Sequence, residues 1–570
     1  MSKEQAELRR WLEEVTDPEL SAELLSIRNE EKEVHERFYR SLEFGTGGLR
    51  GELGAGTNRM NIYTVRQATQ GFAAYLLTQE EKPSAAISYD SRHQSDVFAR
   101  ETARVLAANG IKVYLYPHLM PTPALSFAVL DRHCTGGVMV TASHNPARYN
   151  GYKAYAADGA QISGHVAAAV SEEIEKTDIF RDVKLADFEE ALADGRIEYI
   201  GDALIERYYA AVMAQALRPE LGKAAGLRLV YTPLNGSGLV PVMTVLKRMG
   251  HTDITVVPEQ EQPNGDFPTC PYPNPEILEA MQLGLNLCEK LGADLLLATD
   301  PDSDRVGTAV LQSGTPRLIS GNEMGVLLLD YICRTRLELH KMPENPVAVR
   351  SIVSTTMTDA IAAHYGVEMR QVLTGFKYIG EQIAHLEAEG HPERFIFGFE
   401  ESYGYLAGGY VRDKDAVVAS MLICEMAAWY KGQGKNLGEA LDDLYAQYGF
   451  YFNKVDSYTF PGSDGMEKMA ALMETLRTEL PIAIGGRAVT GHTDYESGIR
   501  YEDGEGKTPT GLPAANVMEF RLGKEGSLVA RPSGTEPKLK FYYSLRAADR
   551  PTAEKAYGEI KASVEDWLGL

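Results

Sequence analysis

The sequence predicts an α/β protein in which three similar α/β domains are followed by a smaller α+β domain. Up to about residue 450, short apolar runs alternate with helix-type segments, a pattern typical of βαβ units. Beyond that point aromatic and β-branched residues recur around short turns, and this composition favours strands. The length of 570 residues agrees with about four domains of roughly 150 residues each.

The composition argues against two classes of protein. Apolar residues make up 44% of the chain and charged residues 24%, which leaves ample material for buried cores. The net charge of −23 disfavours a protein that binds nucleic-acid backbones, so we expect no nucleic-acid partner. The most apolar long window, residues 416–430, contains Ser420 and Glu425 and is shorter than the roughly 20 residues that span a bilayer. We therefore expect no membrane association.

The cysteines indicate a reducing environment. Their number is odd, they are scattered along the chain, and no C-x-x-C motif joins any two of them. The N-terminus has no apolar signal core. We predict reduced thiols in a cytoplasmic protein without a structural zinc site. The cysteines are Cys134, Cys270, Cys288, Cys333 and Cys424.

The chain begins with a segment unlike the rest. Residues 3–40 are rich in Glu, Arg and Leu and are expected to form a packing arm of one or two amphipathic helices. We expect a break near Asp17-Pro18. Changes of pattern further along the chain place the other boundaries. We predict a helical arm over residues 1–40, α/β domain I over 41–208, α/β domain II over 209–322, α/β domain III over 323–450 and the C-terminal domain over 451–570.

Three segments carry more specific predictions of secondary structure. Residues 165–220 are largely helical in pattern. Residues 258–275 are rich in proline and glycine and are predicted to be irregular. The helical run 416–430 is apolar on nearly all sides, which predicts a largely buried helix.

A polar loop follows the apolar run Val138 to Val140. It presents Ser143 and His144 before the turn residues Asn145-Pro146. Ligands of α/β sheets bind at the carboxyl ends of strands, which is where Ser143 is expected to lie. Adjacent serine and histidine do not make a hydrolase triad, and no G-x-S-x-G, Walker or dinucleotide motif is present. The loop alone leaves a catalytic serine and an ordinary turn both open.

Three aspartates alternate in a second strand-end loop, at Asp300, Asp302 and Asp304. In extended backbone these carboxylates would point the same way, and they would repel one another unless a cation lay between them. Carboxylate ligands favour Mg²⁺, Ca²⁺ or Mn²⁺. An EF-hand loop would need glycine and glutamate where this loop has Arg305 and Leu311. An incidental acidic turn remains the alternative.

The remaining polar loops are individually weak signals. The glycine-rich residues 45–51 contain Arg50, which could meet an anion or belong to a plain turn. Residues 531–538 combine cations, hydroxyls and glycine, the donors that cradle a phosphate, but an ordinary turn is as consistent. Glu400 and Glu401 could bind sugar hydroxyls or form a solvated corner. Lys414 alone would be taken for a surface lysine.

Four of these loops together resemble the α-D-phosphohexomutase superfamily, and they occur in the order of that family. Thr141–Pro146 resembles its phosphoserine loop and Asp300–Arg305 its metal loop. Gly398–Gly404 is similar to its sugar-binding loop, and Arg531–Pro537 to its phosphate-binding loop. The resemblance covers about residues 40–570. It implies three α/β domains with mixed sheets and a smaller α+β domain around a central cleft.

The resemblance also implies an activity. Members move a phosphoryl group between O1 and O6 of a hexose phosphate through a phosphoserine enzyme and a 1,6-bisphosphate. The Glu400-Glu401-Ser402 form and the chain length are similar to the longer phosphoglucomutase/phosphopentomutase branch. We therefore expect conversion of α-D-glucose 1-phosphate to glucose 6-phosphate, with glucose 1,6-bisphosphate as intermediate and activator. Phosphopentomutase and phosphomannomutase are alternatives within the family, and a phosphate-ester hydrolase or a non-catalytic sensor are alternatives from other classes.

Residue roles follow from the resemblance, motif by motif. Ser143 would carry the phosphoryl group, and Mg²⁺ would be held by a phosphoserine oxygen and the three aspartates. Arg50 and Arg305 would neutralise charge at the transferring group, while His144 and Lys153 are candidates for proton transfer. We expect a hexose or pentose phosphate as substrate, no nucleic-acid or membrane partner, and either a monomer or a dimer. The residues expected to bind the sugar or its phosphates are Thr374, Glu400, Ser402, Lys414, Arg531, Ser533, Gly534 and Thr535.

Overall fold

The computed structural model of this chain describes residues 2–45, 47–312, 314–460, 465–503, 506–533 and 538–570. The chain divides into two compact units. Unit 1 consists of Met1–Ser320, Ile379–Gly398 and Ser402–Asn436. Unit 2 consists of Gly321–Tyr378, Phe399–Glu401 and Leu437–Leu570. The domain boundaries given above stay predictions.

The N-terminal arm contains three helices, α1 (Lys3–Glu14), α2 (Pro18–Ile27) and α3 (Glu31–Phe38). The prediction of one or two helices was wrong, because the chain breaks a second time between α2 and α3. The break at Asp17-Pro18 is confirmed: the Asp17 carboxylate accepts the N–H groups of the first turn of α2, which begins at Pro18. Trp11 of α1 is fully buried and packs edge-on against aromatic rings of the arm and of unit 1 beyond it.

The first sheet of unit 1 is mixed, in the order β1-β5-β4-β2-β3-β6. β4, β2, β3 and β6 are parallel, while β5 and β1 run antiparallel to their neighbours. Strand β6 falls in the stretch predicted to be largely helical, where its three residues were too few to show alternation. The strands are β1 (Gly48–Glu52), β2 (Ser84–Tyr89), β3 (Lys112–Leu115), β4 (Gly136–Val140), β5 (Tyr149–Ala156) and β6 (Ile197–Tyr199). The helices are α4 (Ile62–Gln79), α5 (Ser95–Ala108), α6 (Thr122–Asp131), α7 (Gly164–Lys176), α8 (Phe188–Ala193) and α9 (Asp202–Met213).

The second sheet of unit 1 has the order β11-β10-β9-β7-β8 and is also mixed. The proline-rich stretch predicted to be irregular contains one short helix, α12, and is otherwise without regular structure until α13. The strands are β7 (Arg228–Thr232), β8 (Asp253–Val256), β9 (Leu295–Thr299), β10 (Val306–Gln312) and β11 (Thr315–Ile319). The helices are α10 (Leu221–Ala224), α11 (Leu239–Arg248), α12 (Pro258–Glu261) and α13 (Leu278–Leu291).

The next stretch of chain contributes to both units. Its strands are β12 (Val347–Ser351), β13 (Glu368–Val372), β14 (Phe395–Glu400) and β15 (Gly404–Leu406). Its helices are α14 (Gly321–Glu338), α15 (Met357–Tyr365), α16 (Phe376–Ala388), α17 (Ala416–Lys431) and α18 (Leu437–Tyr448). β12 and β13 pair in parallel in unit 2. Almost every residue of α17 is buried in unit 1, so the predicted buried helix is confirmed.

The C-terminal part of unit 2 is a seven-stranded antiparallel sheet in the order β16-β24-β23-β22-β19-β20-β21. Alternate residues of β24, such as Phe541 and Leu545, share a core with α20. This confirms the predicted α+β class. The strands are β16 (Phe450–Thr459), β17 (Ala483–Ile484), β18 (Arg487–Ala488), β19 (Gly491–Asp494), β20 (Ile499–Glu502), β21 (Gly506–Pro509), β22 (Met518–Arg521), β23 (Gly526–Pro532) and β24 (Lys538–Ala547). The helices are α19 (Gly465–Thr478) and α20 (Arg550–Leu568).

All five cysteines are buried, and none forms a disulfide. Burial raises the pKa of the thiols of Cys134 and Cys270 to about 11, which keeps them protonated at neutral pH. Among the described residues, no helix combines the length and the apolar character needed to cross a bilayer.

Candidate active site

Ser143 lies just beyond the carboxyl end of β4, as the sequence predicts. The residue is almost fully buried, and its backbone is left-handed with φ 51°. This conformation costs a non-glycine residue about 1–3 kcal/mol and persists only where the surroundings enforce it. One such contact is local: the Ser143 N–H donates to Thr141 Oγ1 at 2.8 Å.

Arg92 holds the Ser143 loop from behind. Its buried guanidinium donates to the backbone carbonyls of Ser143 and Asn145, and at 3.0 Å to those of Pro146 and Tyr149. One buried side chain thus binds four carbonyls, three in the loop between β4 and β5 and one at Tyr149, the first residue of β5. The loop is therefore shaped by a residue about fifty positions earlier in the sequence.

Asp90 completes this support. Its carboxylate lies 3.4 Å from the Arg92 guanidinium and accepts the hydroxyls of Thr141 at 2.6 Å and Ser95 at 2.8 Å. Burial raises the pKa of Asp90, and the positive charge of Arg92 opposes that rise. Sequence analysis missed both side chains. The signal available was an Asp-x-Arg sequence directly after β2, the strand that pairs with β4.

Replacing Arg92 with lysine should lower kcat of the expected phosphoryl transfer by about 100-fold. The Ser143 loop would shift, and misplacing a reacting group by about 1 Å has an effect of that size. Lysine keeps the charge near Asp90 but cannot reach four carbonyls in one plane. Steady-state kinetics would measure the loss, and thermal unfolding would show whether the fold survives. Arg100→Lys, at a half-exposed arginine of α5 that pairs with Glu189, is the matched control. Equal kcat in the two variants would contradict the assigned role.

The three aspartates follow β9 in a tight turn. The expectation of extended backbone was wrong, because the Ser303 N–H donates to the Asp300 carbonyl at 2.9 Å and Ser303 has φ 51°. The turn nevertheless brings the carboxylates together: one oxygen from each of Asp300, Asp302 and Asp304 lies within 4.8 Å of the others. All three side chains are buried.

The carboxylate cluster fits a divalent cation. Within the described part of the chain, Asp302 Oδ1 and Asp304 Oδ1 are buried and accept no hydrogen bond. Burial and the two neighbouring carboxylates raise the pKa of Asp300 well above its ordinary value. Burial acts on Asp302 too, but Lys153 and Thr122 outweigh it and hold the pKa of Asp302 below its usual range. Three hard oxygen ligands with two unsatisfied atoms suit Mg²⁺, Mn²⁺ or Ca²⁺.

The serine loop and the acid loop meet in unit 1. Ser143 Oγ donates to Asp300 Oδ2 at 3.0 Å and lies 3.1 Å from His144 Nδ1. Burial lowers the pKa of His144 well below its ordinary value, and the charges of Arg305 and Arg50 act in the same direction. His144 is therefore neutral at physiological pH and can exchange a proton with the serine oxygen.

Two lysines flank the acid cluster. Lys153 Nζ lies 2.8 Å from Asp302 Oδ2 and 3.6 Å from Asp304 Oδ2. Lys414 Nζ lies 3.1 Å from Asp304 Oδ2 and 2.9 Å from Asp413 Oδ1. Burial lowers the pKa of Lys153, but Asp302 and Asp304 outweigh burial and raise it overall. Lys414 is thus not the ordinary surface lysine that its sequence context suggested.

The two predicted arginines also lie beside these loops. Arg50 in β1 donates to Asn145 Oδ1 at 3.2 Å and is exposed. Arg305 follows the acid loop and donates to Glu276 Oε1 at 2.6 Å. Both arginines are therefore placed where they could meet an anion near Ser143.

The predicted sugar-binding loop divides between the units after Glu401. In unit 2, Glu400 Oε1 accepts the N–H of Gly375 at 2.7 Å, beside the half-buried Thr374. Glu401 Oε2 accepts the Ser351 hydroxyl at 3.0 Å. Ser402, in unit 1, is half-buried.

The predicted phosphate-binding loop belongs to unit 2. Arg531 lies in β23, opposite Lys540 of β24, and is half-buried. The Ser533 N–H donates to the Lys538 carbonyl at 2.7 Å. Burial and the charge of Glu401 raise the pKa of Tyr542 to about 12, although the charge of Arg531 opposes the rise. Gly534 and Thr535 lie outside the described residues.

Beyond Arg92 and Asp90, two further residues at the site escaped sequence analysis. Thr122 donates its hydroxyl to Asp302 Oδ2 at 2.8 Å. Asp413 accepts the Lys414 ammonium at 2.9 Å and the Tyr155 hydroxyl at 2.7 Å. Asp413 could have been noticed as the neighbour of Lys414, but nothing in the sequence around Thr122 indicated a contact with the acid loop.

Family models match three successive stretches of the chain. They are described as phosphoglucomutase/phosphomannomutase alpha/beta/alpha domains I, II and III, and they cover residues 41–180, 206–313 and 320–448. The chain belongs to the phosphoglucomutase/phosphomannomutase family. The predicted superfamily and its α/β class are thereby confirmed.

Relatives within this family match almost the whole chain. A phosphoglucomutase of Staphylococcus haemolyticus is 38% identical over 510 residues, which is 89% of this chain and 91% of the relative. One from Staphylococcus epidermidis is 36% identical over 537 residues, 94% of this chain and 96% of the relative.

Solved structures of the family share the fold at lower identity. Parafusin, a phosphoglucomutase from Paramecium in its open form, has a TM-score of 0.69 at 17% identity, and the match covers 93% of this chain and 97% of that one. A family protein from Burkholderia thailandensis has a TM-score of 0.66 at 17% identity, covering 92% of this chain and 97% of that one.

Proposed function

We propose that this member of the family is a phosphoglucomutase that interconverts α-D-glucose 1-phosphate and glucose 6-phosphate. The observation that carries the proposal is the contact of Ser143 Oγ with Asp300 at 3.0 Å, in a cluster of three buried aspartates. A hydroxyl at the edge of a cation-binding cluster can accept and return a phosphoryl group. The relatives named phosphoglucomutase match the chain over most of its length, which favours glucose phosphate as substrate.

The proposed cycle begins with phosphorylated Ser143. The bond between phosphorus and Ser143 Oγ breaks, a bond from phosphorus to O6 of glucose 1-phosphate forms, and the proton lost by O6 is matched by the one that Ser143 Oγ takes up. The product is glucose 1,6-bisphosphate, which turns end for end. The bond between phosphorus and O1 then breaks as a bond to Ser143 Oγ forms, the serine oxygen loses its proton while O1 takes one up, and glucose 6-phosphate leaves. Each round ends with the serine phosphorylated again, so no phosphate is consumed.

We assign the proton steps by geometry. His144 Nδ1, at 3.1 Å from Ser143 Oγ and neutral at physiological pH, is placed to accept the hydroxyl proton of Ser143 when the phosphoryl group returns to the serine. Lys153 lies among carboxylates that raise its pKa, so it carries a proton and is the candidate to donate one to the sugar oxygen that loses its phosphoryl group. The two residues predicted as alternatives for one step thus suit different oxygens.

The proposed metal is Mg²⁺, held by Asp300, Asp302, Asp304 and an oxygen of phosphorylated Ser143. When bound, it would neutralise charge on the transferring phosphoryl group. A phosphoserine adds a charge of about −2 beside three carboxylates. Arg50 and Arg305 would help to compensate that charge, because Lys153 and Lys414 already form ion pairs with Asp302 and Asp304.

We propose separate contacts for the rest of the substrate. On the resemblance of their motifs, the residues that would contact the sugar or its distal phosphate are Thr374, Glu400, Ser402 and Lys414. Arg531 and Ser533 would hold the phosphate that does not react, because a guanidinium and a hydroxyl are strong donors to phosphate oxygens. The same role is proposed for Gly534 and Thr535 on sequence alone.

A panel of α-1-phosphates tests the function. Glucose, mannose, ribose and glucosamine 1-phosphates would each be incubated with the enzyme, Mg²⁺ and glucose 1,6-bisphosphate. We expect the highest kcat/KM with glucose 1-phosphate, activation by the bisphosphate and little release of inorganic phosphate. A preference for ribose 1-phosphate would show that the substrate is a pentose phosphate and not glucose 1-phosphate. Stoichiometric release of phosphate would identify a hydrolase instead.

A further inference from the structure

Helix α6 begins against the acid loop. Thr122, its first residue, is fully buried. Its Oγ1 donates to Asp302 Oδ2 at 2.8 Å, and its backbone N–H donates to the Asp302 carbonyl at 2.9 Å. Two donors of one residue therefore hold both the side chain and the main chain of Asp302.

These contacts give the two carboxylate oxygens of Asp302 different surroundings. Oδ2 accepts the hydroxyl of Thr122 and, also at 2.8 Å, the ammonium of Lys153. Among the described residues, Oδ1 is buried without a donor. A carboxylate turned part-way about its Cβ–Cγ bond would lose both hydrogen bonds, and a half-turn only exchanges its two equivalent oxygens. The oxygen without a partner is thus kept in one position.

Thr122 is itself rigidly placed. The Met120 N–H donates to the carbonyl of Tyr89 at 3.1 Å, and the Ser88 hydroxyl donates to the Met120 carbonyl at 3.0 Å. The segment before Thr122 is therefore tied to β2, the strand that also leads to Asp90 and Arg92. The supports of the serine loop and of the acid loop share one strand.

We propose that Thr122 is a positioning residue for the metal site, which fixes Asp302 so that Oδ1 is presented to a divalent cation. The inference rests on the metal site of the proposed function and names a residue that acts on it without touching the ion. Partners of metal ligands orient those ligands, and their loss typically weakens metal affinity by about 10–100-fold.

Direct binding of Mn²⁺ tests the proposal without relying on activity. Free Mn²⁺ would be measured by electron paramagnetic resonance during titration of the full chain. We expect Thr122→Val to raise the Mn²⁺ Kd by about 10–100-fold, because the variant keeps the shape but loses the hydroxyl. Thr122→Ser restores the donor and should bind Mn²⁺ within a few-fold of the unaltered chain.

Thr69→Val is the matched control. Thr69 is also a fully buried threonine of unit 1, but its hydroxyl donates to the Val65 carbonyl within α4. We expect this variant to bind Mn²⁺ like the unaltered chain. The proposal would be overturned if Thr122→Val bound Mn²⁺ as tightly as the unaltered chain. It would also be overturned if Thr122→Val and Thr122→Ser weakened Mn²⁺ binding equally. An unaltered chain that bound no Mn²⁺ would instead overturn the metal site itself, so the two failures can be told apart.

Discussion

Replacing Ser143 with alanine is expected to abolish mutase turnover, with a loss of at least about 10⁴-fold in kcat. The reason is chemical: the phosphoryl group leaves one oxygen of the sugar and returns to another, and Ser143 Oγ is the oxygen proposed to hold it between these steps. Alanine removes that oxygen alone, and the backbone contacts of Arg92 and Thr141 to the loop remain possible. The coupled conversion of glucose 1-phosphate to glucose 6-phosphate measures the loss.

Intact mass gives a second readout of the same variant. The unaltered chain should gain the mass of one phosphoryl group on incubation with glucose 1,6-bisphosphate, and Ser143→Ala should not. Ser163→Ala, in which a half-buried serine just before α7 is truncated, is the control and should retain both properties. Substantial mutase activity in Ser143→Ala, with a normal thermal transition, would exclude the phosphoserine mechanism.

The parts of the site that sequence predicted are those in which a single loop carries the chemistry. Asp300, Asp302 and Asp304 are at most four positions apart, so their spacing alone predicts a cluster of carboxylates. Ser143 follows an apolar run, and the position of such loops at a sheet edge is a general property of parallel strands. The resemblance to a family then related these loops to one another, which local spacing could not do.

The parts that sequence did not predict depend on contacts between distant segments. Arg92 reaches carbonyls some fifty residues later, and Thr122 reaches Asp302 across 180 residues. Neither residue stands out from its local sequence, because an arginine after a strand and a threonine at the start of a helix usually have ordinary local roles. They act only in the folded chain, where Arg92 follows β2 and the segment before Thr122 is hydrogen-bonded to the end of β2.

The fold shows the same limit on a smaller scale. The buried helix α17 was predictable, because apolar residues on all faces leave few alternatives. Strand β6 was not, because three residues between helices carry no periodicity. For the acid loop, the expected clustering was right and the reason for it was wrong. The carboxylates converge through a turn at Ser303 and not through alternation along a strand.

Removal of the proposed divalent ion should be nearly as severe as loss of the serine. We expect chelation with EDTA to reduce turnover by at least about 10³-fold, and Mg²⁺ to restore it. Without a cation, three buried carboxylates and a phosphoserine would repel one another at the point where phosphoryl charge must be stabilised. Assaying the chelated enzyme against a Mg²⁺ titration measures this requirement.

Asp300→Asn separates the charge from the shape of this site. An asparagine can still accept the N–H groups of Asp304 and Arg305, which Asp300 Oδ1 now accepts at 3.1 Å. The variant therefore keeps the turn but lacks one charge of the cluster. Because burial and the neighbouring carboxylates raise the pKa of Asp300, the ionised group is unfavourable in the folded protein without metal. Metal-free Asp300→Asn should unfold at no lower a temperature than the unaltered chain.

Adding Mg²⁺ should then reverse the order of stability. An ion that binds only the folded chain stabilises it by about 2.7 kcal/mol at 100 times its Kd. The unaltered chain should gain this stabilisation, and Asp300→Asn should gain much less, together with a loss of most of its turnover. Asp253→Asn, at an exposed aspartate paired with Arg228, controls for the loss of a surface charge and should respond to Mg²⁺ normally. If Mg²⁺ raised the unfolding temperature of Asp300→Asn as much as that of the unaltered chain, Asp300 would not be a ligand, and the cation would have to bind elsewhere.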